Sequence, residues 1–325
     1  MPHPLILRRS LKSAIRLFFD ERKYLEVDTP VLVKQPGTEV HVDYFSTEYA
    51  GFNEDKTLLH MRSSPELHMK QLLFQGLEKI YQLGPCFRNQ GEYTKWHHPE
   101  FTLLEWYEVG LSLEQMIKET DLLIRFCEEK ICDEHKESGE KLPRLELITV
   151  KEAFLEFAGI PLIDQDKDLA KKAAAAGCRS PLVDDDFETA FFKVLMEKIE
   201  PALKKQRYAC LYDYPESQAI LAKVEGGVAK RFEFYIDGIE ICNAFDECLD
   251  AGENRLRMED ANQKRLLLGK KALPLDEYFL ASLENTRLEA SGNALGFDRL
   301  LSCLLQKSGI EQAIPFRHQF PCHHP

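Results

Sequence analysis

The sequence lacks three features that would point to a secreted, membrane-bound or globally nucleic-acid-binding protein. Its nine cysteines are scattered without a Cys-x-x-Cys pair, which favours reduced thiols and provides no zinc-ligand spacing. No apolar run is long enough to cross a bilayer, and the N-terminus has no signal-peptide core with a cleavage site. The net charge of −12 excludes a surface that is basic overall, although it leaves room for a local basic patch. These absences predict a cytoplasmic protein.

What the sequence does contain is the mixture typical of a globular chain, with 44% hydrophobic and 30% charged residues. A length of 325 residues suggests one large domain or two small ones. Apolar residues from Leu11 to Phe19 recur at helical spacing and predict a helix over residues 8–22. Pro30 interrupts the next apolar segment, residues 24–33, and predicts a strand at a sheet edge or a subunit contact.

Further predicted elements follow at irregular distances along the chain. Ser64, Pro65 and Glu66 indicate a helix start, with a Ser cap and Pro at the first helical position, and the helix should extend to Gly76. Strands are predicted over residues 80–87, 101–109, 208–214 and 229–245, a helix over 113–130, and a strand turning into a helix over 291–306. Because regular βαβ alternation is missing, the pattern predicts an α+β fold, a mainly antiparallel sheet flanked by helices.

Residues 132–206 differ in character from the rest of the chain. They are charged, contain the Ala-rich run KKAAAAG, and lack the aromatic strand pattern seen elsewhere. We interpret them as a helical insertion with a mostly solvated surface, within a single catalytic domain that spans residues 1–325.

The segment RFEFYIDGIEICNAFDE predicts a β-hairpin with Asp237-Gly238 as its two-residue turn, because both turn positions favour positive φ. A two-residue loop pairs Glu233 with Cys242, and Glu233 and Glu240 then lie diagonally on one face, about 7 Å apart. Two carboxylates that converge there repel each other unless a cation lies between them, and Mg²⁺ with phosphate oxygens suits that position. The alternative is a solvated sheet face, and a one-residue register slip would separate the pair.

The segment CFRNQGEYTKWHHPEFTLLEWYE, residues 86–108, is dense in charged and aromatic residues without being an amphipathic helix. Arg88 follows an apolar strand, so its planar and permanently charged fork could face a phosphate or a carboxylate. Phe101 could stack on a nucleobase. Either residue on its own is more often part of a salt bridge or of the core.

Together with other segments, this stretch resembles the class II aminoacyl-tRNA synthetases in their lysine-type form. FRNQ…HHPEFTLLEWYE resembles motif 2, KYLEVDTPVL resembles the dimer-forming motif 1 with Pro30, and SGNALGFDRLL resembles motif 3 with Arg299. SSPELHMKQLL and GIEICNAFDE, which stand between the motifs, are also of the lysine type. The resemblance covers nearly the whole chain in the family's order. It implies the class II catalytic fold, the use of ATP with Mg²⁺, and a homodimer.

One part of the lysine-type pattern is missing. Lysyl-tRNA synthetases carry an N-terminal OB-fold domain that reads the anticodon, whereas here the motif 1 helix begins within the first ten residues. We therefore expect no anticodon-binding domain and no anticodon contact. The shortened form resembles the synthetase paralogues that attach (R)-β-lysine to a lysine of elongation factor P. Ala294 stands where lysyl-tRNA synthetases have Gly, as in those paralogues, and its methyl group should reshape the amino-acid pocket.

The resemblance implies roles for individual residues around ATP. Arg88 would hold the α-phosphate and the substrate carboxylate, and Arg299 the γ-phosphate; these two are the implied catalytic residues. Glu233 and Glu240 would hold the metal. The remaining implied ATP contacts, which include the adenine platform Phe101, are Asn89, Gln90, His98, Phe101, Ile241 and Gly296.

The implied amino-acid pocket suits an acid with two amines. Glu66 and Glu105 would meet the amine near the backbone, Tyr107 and Glu247 the terminal amine, and Asn243 the carboxylate. Because buried charges must be paired, such a substrate needs anions for both ammonium groups and a cation for its carboxylate. The other implied substrate contacts are Ser64, Pro65 and Ala294.

Three residues depart from the family pattern. Gln90 stands where Glu is usual, His98 replaces an Asn, and Ala244 replaces a Gly. The amide oxygen of Gln90 can still accept a hydrogen bond from the adenine amine, although it carries no charge. None of the three departures removes an essential charge.

Three functions stay open on the sequence. The first is an ATP-dependent ligase that attaches β-lysine to elongation factor P, and the second is a lysine-activating enzyme that charges a tRNA or another small acceptor. The third is a synthetase-like regulator without chemistry, against which the retained phosphate and metal residues argue. The sequence does not distinguish lysine from (R)-β-lysine as the preferred substrate.

Overall fold

The computed structural model describes residues 3–52, 55–91, 94–135, 140–284 and 288–316. Twelve strands in these ranges form a nine-stranded sheet and a three-stranded sheet. The strands are β1 (Leu25–Glu26), β2 (Leu32–Val33), β3 (Ser46–Ala50), β4 (Lys56–Met61), β5 (Lys79–Phe87), β6 (Glu100–Val109), β7 (Glu146–Thr149), β8 (Tyr208–Pro215), β9 (Val224–Glu225), β10 (Val228–Ile236), β11 (Ile239–Asp246) and β12 (Ala290–Gly296).

The order of the large sheet is β1-β5-β6-β12-β11-β10-β8-β7, with β9 paired to β10, and the small sheet has the order β2-β4-β3. Only the terminal pairs β1–β5 and β7–β8 are parallel among the described strands. The predicted α+β class, a mainly antiparallel sheet flanked by helices, is thereby confirmed.

Helices cover the sheet and the segments between its strands. They are α1 (Pro4–Glu21), α2 (Glu66–Phe74), α3 (Leu113–His135), α4 (Val150–Ala158), α5 (Leu169–Ala175), α6 (Phe187–Val194), α7 (Glu200–Gln206), α8 (Ala251–Leu267), α9 (Glu277–Leu283) and α10 (Phe297–Leu304). A π-helical turn, Leu195–Ile199, joins α6 to α7, and short 3₁₀ turns occupy Glu216–Gln218 and Ile310–Gln312.

Helix α1 shows how the apolar periodicity directs packing. Leu11, Ile15, Phe18 and Phe19 are fully buried, as their spacing predicts, and they join residues of α3 and α10 in the main core. The helix begins at Pro4, a few residues before the predicted start, because proline is favoured in the first turn and the side chain of the preceding His3 caps it.

The alternation of side chains along β6 separates the core from the functional face of the sheet. Leu104 and Trp106 point into the main core, whereas Glu105 and Tyr107 lie on the opposite face. Strand β10 follows the same rule, with Phe232 and Phe234 in that core. One face of the sheet is therefore packed with aromatic side chains, and the other carries the acids predicted to be functional.

Two local predictions need correction. The segment 24–33 forms the two-residue strands β1 and β2 with Pro30 between them, although β1 does lie at the sheet edge. Helix α2 has Pro65 as its N-cap residue, not at the first helical position, because Ser64 Oγ accepts the backbone N–H of Glu66 at 2.9 Å and so fixes the start.

Residues 132–206 contain a strand and a core, which the predicted helical insertion with a mostly solvated surface does not include. Strand β7 extends the large sheet by pairing in parallel with β8. Helices α4 and α6 stack Phe154 on Phe191, with ring centroids 5.0 Å apart, over a second core that includes Tyr214 and Tyr235 of the sheet. Apolar residues at helical spacing on these helices supply that core, and the charged residues between them had masked the pattern.

The described cysteines are free thiols, and Cys322 lies outside the described residues. Seven of the eight are buried, with Cys132 as the half-buried exception. Among the helices that the structure describes, none has the length and apolarity needed to cross a bilayer.

Candidate active site

The hairpin between β10 and β11 has the predicted turn but a different register beyond it. Asp237 and Gly238 have φ of +50° and +77°, as a two-residue turn of this kind requires. A β-bulge at Ile241 of β11 then shifts the pairing, so that Glu233 faces Asn243. The predicted pairing of Glu233 with Cys242 is wrong, because Ile241 is an extra residue in β11 that a regular ladder does not contain.

Glu233 is nevertheless fixed on the functional face. Only 5% of it is exposed, so this carboxylate does not lie on a solvated face. Its carboxylate accepts hydrogen bonds from Arg231 and, at 2.6 Å each, from the hydroxyl groups of Tyr214 and Tyr235. Sequence reasoning missed Arg231, which neutralises Glu233. The two-residue period of a strand, which places residues 231 and 233 on one face, was the available signal.

Glu240 lies beside both Glu233 and the predicted phosphate-binding arginines. Partial burial and the neighbouring Glu233 raise the pKa of Glu240 above its ordinary value, while Arg299, Arg231 and Arg88 act in the opposite direction. Its backbone oxygen accepts a hydrogen bond from Arg299 Nη1 at 3.0 Å. The structure thus brings both predicted metal carboxylates and both predicted catalytic arginines into one electrostatic neighbourhood.

A histidine that sequence reasoning missed orients Arg299. His97 Nε2 lies 2.6 Å from Arg299 Nη2. Burial and the charges of Arg299 and Arg88 lower the pKa of His97 to about 4, so its ring is neutral near pH 7 and Nε2 can accept this hydrogen bond. His98, the predicted ATP contact, places its Nδ1 2.6 Å from the backbone oxygen of Glu100 instead of facing Arg299.

The strand end that carries Arg88 is tied to its surroundings through the backbone. The Arg88 N–H donates to Pro99 O at 2.9 Å, and its guanidinium carbon lies 5.5 Å from the centre of the Phe101 ring. The Asn89 N–H donates to the backbone of Asp43 at 2.8 Å. Gln90 follows with φ of +51°, its N–H bonded to Asn89 Oδ1. Four of the predicted ATP contacts therefore lie in one short turn and on the strand beside it.

The donor set of Glu233 and Glu240 fits Mg²⁺ as a shared site. A carboxylate offers about four acceptor positions, and Glu233 uses three of them on protein donors. Glu240 keeps 41% of its side chain exposed. Within the residues that the structure covers, no group of three His, Cys, Asp or Glu side chains is placed to hold a metal. Mg²⁺ held here would therefore need phosphate oxygens among its ligands, as this ion commonly does.

The second part of the site is a set of buried acids around Glu105. Only 1% of Glu105 is exposed. It accepts hydrogen bonds from Ser64 Oγ at 2.8 Å and from Tyr107 Oη at 2.6 Å. Burial and the neighbouring Glu66 raise the pKa of Glu105 to about 7, against the effect of these donors. The ionised form of such a buried carboxyl is unfavourable unless an ammonium group pairs with it.

Glu247 closes the pocket from the end of β11 and contacts an unpredicted lysine. Lys70 is fully buried, with its Nζ 2.5 Å from Glu247 Oε2 and 2.6 Å from Glu66 Oε1. Burial raises the pKa of Glu247 to about 8, although Lys70 lowers it. One ammonium reaches both acids, so the two carboxylates that the resemblance assigns to different substrate amines lie side by side. The i,i+4 spacing of Glu66 and Lys70 was the sequence signal for half of this contact.

A narrow cavity of about 20 Å³ joins these groups. Gly292 opens it, because a Cβ there would collide with the Tyr107 ring and lie 2.6 Å from Glu247 Oε1. Asn243 Oδ1 accepts a hydrogen bond from Arg231 Nε at 3.0 Å, which links the cavity to the phosphate side. The predicted substrate residues that line the cavity are Glu66, Glu105, Tyr107, Asn243, Glu247 and Ala294.

The other predicted residues border the site. Ser64 and Pro65 lie at the start of α2, where Ser64 contacts Glu105. Gly296 ends β12, and a Cβ there would lie 3.7 Å from the backbone oxygen of Ile241 and 3.7 Å from Arg299. A larger polar hollow near Lys223 and Lys230 contains none of the predicted residues.

Comparison with known proteins agrees with the motifs. The family model of the class II tRNA synthetases (D, K and N) matches residues 1–319. Proteins named elongation factor P–(R)-β-lysine ligase are similar over almost their whole length. The one from Proteus mirabilis is 36% identical over 318 residues, 96% of this chain and 94% of its own. The one from Edwardsiella ictaluri is 37% identical over the same shares, and that of Vibrio cholerae is 36% identical over 95% of this chain and 93% of its own.

Proposed function

Because the chain belongs to the class II tRNA synthetase family, we propose that it is an ATP-dependent ligase for a lysine-like acid with two amines. Its substrate would be (R)-β-lysine or lysine, and its acceptor a lysine side chain of elongation factor P. The names of relatives that are 36–37% identical over nearly the whole chain support the acceptor. The proposed working form is a homodimer.

The observation that carries this proposal is the concentration of buried and half-buried acids near Arg88 and Arg299. Glu66, Glu105 and Glu247 line one cavity with Tyr107. Buried carboxylates are costly unless cations pair with them, so a pocket with this composition selects ammonium groups. The amide of Asn243 and the nearby Arg231 connect that pocket to the side where Arg88 and Arg299 lie.

In the first proposed step, a carboxylate oxygen of the amino acid attacks the α-phosphorus of ATP. The new P–O bond replaces the bond to the β-phosphate, which leaves as part of pyrophosphate, and an aminoacyl-adenylate remains. Arg88 would stabilise the charge at the α-phosphate and Arg299 that at the γ-phosphate. No side-chain nucleophile is required, because positioning of the two reactants supplies much of the rate increase.

Glu233 and Glu240 would hold Mg²⁺, which supplies positive charge beside the triphosphate when it is bound. Arg231 donates a hydrogen bond to Glu233 and so fixes its carboxylate, and His97 holds the Arg299 fork beside Glu240. Phe101, next to the Arg88 guanidinium, would offer its face to adenine.

In the second proposed step, the uncharged ε-amine of the acceptor lysine attacks the acyl carbon of the adenylate. An amide bond forms, the bond to AMP breaks, and the amine loses a proton. The substrate's carboxylate would lie at the end of the pocket that faces the phosphate side. The acceptor lysine must therefore reach that end from outside.

The test is to supply ATP and Mg²⁺ with radiolabelled (R)-β-lysine or lysine, and to offer elongation factor P and tRNA together as acceptors. We expect the label on elongation factor P, and none on a variant factor whose acceptor lysine is replaced by Arg. Label on tRNA would contradict the proposed acceptor and would identify the protein as a tRNA-charging enzyme. No label and no pyrophosphate exchange with any such diamine acid would favour a regulator without chemistry.

A further inference from the structure

Lys70 is the one fully buried ammonium in the described part of the chain, and it contacts two of the acids that line the proposed substrate pocket. Its Nζ is 2.6 Å from Glu66 Oε1 and 2.5 Å from Glu247 Oε2. The Tyr107 ring centre lies 6.0 Å from the same Nζ. The proposed chemistry assigns Lys70 no part, yet burying a lysine is costly unless its partners compensate.

The charges around Lys70 match a substrate with two ammonium groups. Glu66, Glu105 and Glu247 together carry three negative charges when ionised, and Lys70 removes one of them. The two that remain equal the charge of two substrate ammonium groups. Without Lys70, a bound diamine would leave one buried carboxylate either unpaired or protonated.

We propose that Lys70 is a positioning and specificity-determining residue, a fixed internal counter-ion that holds the carboxylates of Glu66 and Glu247 side by side so that the pocket accepts an acid with two ammonium groups. This inference rests on the proposed function for its substrate. Its electrostatic part concerns the empty protein and can be tested without a substrate.

The groups that face Lys70 come from three parts of the fold. Helix α2 contributes Glu66, strand β6 contributes Glu105 and Tyr107, and the end of β11 leads to Glu247. Lys70 lowers the pKa of Glu105 and of Glu247, although burial still holds them at about 7 and about 8. Removal of the ammonium would therefore raise both values further.

The first experiment measures the melting temperature of wild type and Lys70→Met between pH 6 and pH 9 without ligand. Both carboxyls bind protons more tightly in the folded than in the unfolded protein, so their ionisation destabilises the fold as pH rises. Lys70 itself stays charged over this range, because its neighbouring acids raise its pKa. We expect the gap between wild type and variant to widen with pH, on the order of 2 °C per unit of pKa change.

The second experiment measures the KM for lysine and (R)-β-lysine in ATP–pyrophosphate exchange over the same pH range. Lys70→Met should raise the amino-acid KM near pH 7 by about tenfold per unit of pKa change, with kcat and the KM for ATP little altered. In wild type this KM should rise as the pH falls and the carboxylates bind protons. In Lys70→Met the rise should begin at a higher pH. The preference for lysine over norleucine, which lacks the terminal amine, should fall. A protonated Glu247 carries no charge that an ammonium group would need to balance.

The controls separate electrostatics from packing. In Lys70→Arg, the pH dependence of the melting temperature and of the KM should be close to that of wild type, because arginine retains the charge. Lys193→Met removes a lysine that pairs with Asp185 at 2.8 Å outside the site, and it should behave like wild type.

A pH-independent gap in melting temperature together with an unchanged KM profile would overturn the proposal. A Lys70→Met protein too unstable to purify leaves Lys70→Arg as the deciding variant. If wild type showed no exchange with any diamine acid, the proposed function would fail, and the ligand-free melting series would still decide the role of Lys70.

Discussion

At the scale of single residues, the site depends on groups whose partners are distant in sequence. Glu66 and Lys70 share one helix, but Glu247 reaches Lys70 from the other half of the chain. The motifs identified each acid, because residue types survive in a sequence pattern. They did not reveal Lys70 or His97 as partners, because a contact between distant segments leaves no local periodicity.

The charge on Arg88 can be tested directly. Arg88→Ala should lower pyrophosphate exchange by roughly 100- to 1,000-fold, the range found when one donor to a developing charge is removed. Its melting temperature should stay close to that of wild type, because the fold uses the backbone of this residue and its side chain borders the open site. Arg144→Ala, which removes an exposed arginine outside the site, serves as the control. Wild-type exchange in Arg88→Ala would remove this arginine from the site.

Gly292 tests whether the cavity is as narrow as the structure indicates. In Gly292→Ala the new methyl group would displace the Tyr107 ring and press on Glu247. We expect the KM for the diamine acid to rise about tenfold or more, as a misplaced positioning group commonly costs, while the KM for ATP stays the same. Gly51→Ala is the matched control, since its Cβ meets nothing closer than 3.4 Å. An unaffected amino-acid KM in Gly292→Ala would place the substrate elsewhere.

At the scale of secondary structure, the sequence predicted elements with strong periodicity and missed irregular ones. Strands β5 and β6 and the transition from β12 to α10 lie within a residue or two of their predicted bounds, because apolar alternation and a helical apolar face determine them. The bulge in β11 is set by cross-strand packing, which a single strand's sequence does not encode. Strand β7 was missed because its four residues are too short to show a period.

Helix α1 and strand β1 present the surface proposed for dimer formation. Leu17 and Leu25 are 43% and 51% exposed, and Ile6 lies three helical turns from Leu17 on the same side of α1. We predict that Leu17→Glu shifts the protein from dimer to monomer in sedimentation velocity, because a charge opposes burial at an apolar contact. Leu155→Glu, at a residue that is 59% exposed on α4, should leave the dimer intact. A wild-type protein that sediments as a monomer would contradict the proposed homodimer.

At the scale of the whole molecule, ionisation of the acids in the pocket is unfavourable, and a substrate with two ammonium groups would offset it. The pKa values of Glu105 and Glu247, about 7 and about 8, lie far above the ordinary value for a glutamate. Between the ordinary and the raised values the folded protein binds more protons than the unfolded chain, so stability falls as pH rises. Binding of two ammonium groups reverses this effect, because it favours the ionised carboxylates.

This linkage predicts pH-dependent stabilisation by the substrate. Lysine or (R)-β-lysine should raise the melting temperature more at pH 8.5 than at pH 6, and binding near pH 7 should release protons. Isothermal titration calorimetry in buffers of different ionisation enthalpy measures that release. Glu247→Gln removes one of the two acids, and it should reduce both the proton release and the pH dependence. Equal thermal shifts at both pH values would contradict the assignment of these acids to the amines.

Amino-acid-dependent pyrophosphate exchange by the protein alone tests directly whether a diamine pocket is joined to an ATP site. The assay compares (R)-β-lysine and lysine with norleucine, which has the shape of lysine but lacks the terminal amine. We predict exchange with at least one of the diamine acids and at least a 1,000-fold lower kcat/KM with norleucine, because the pocket's buried acids would then be left unpaired. Equal exchange with norleucine, or none with either diamine acid, would contradict the account.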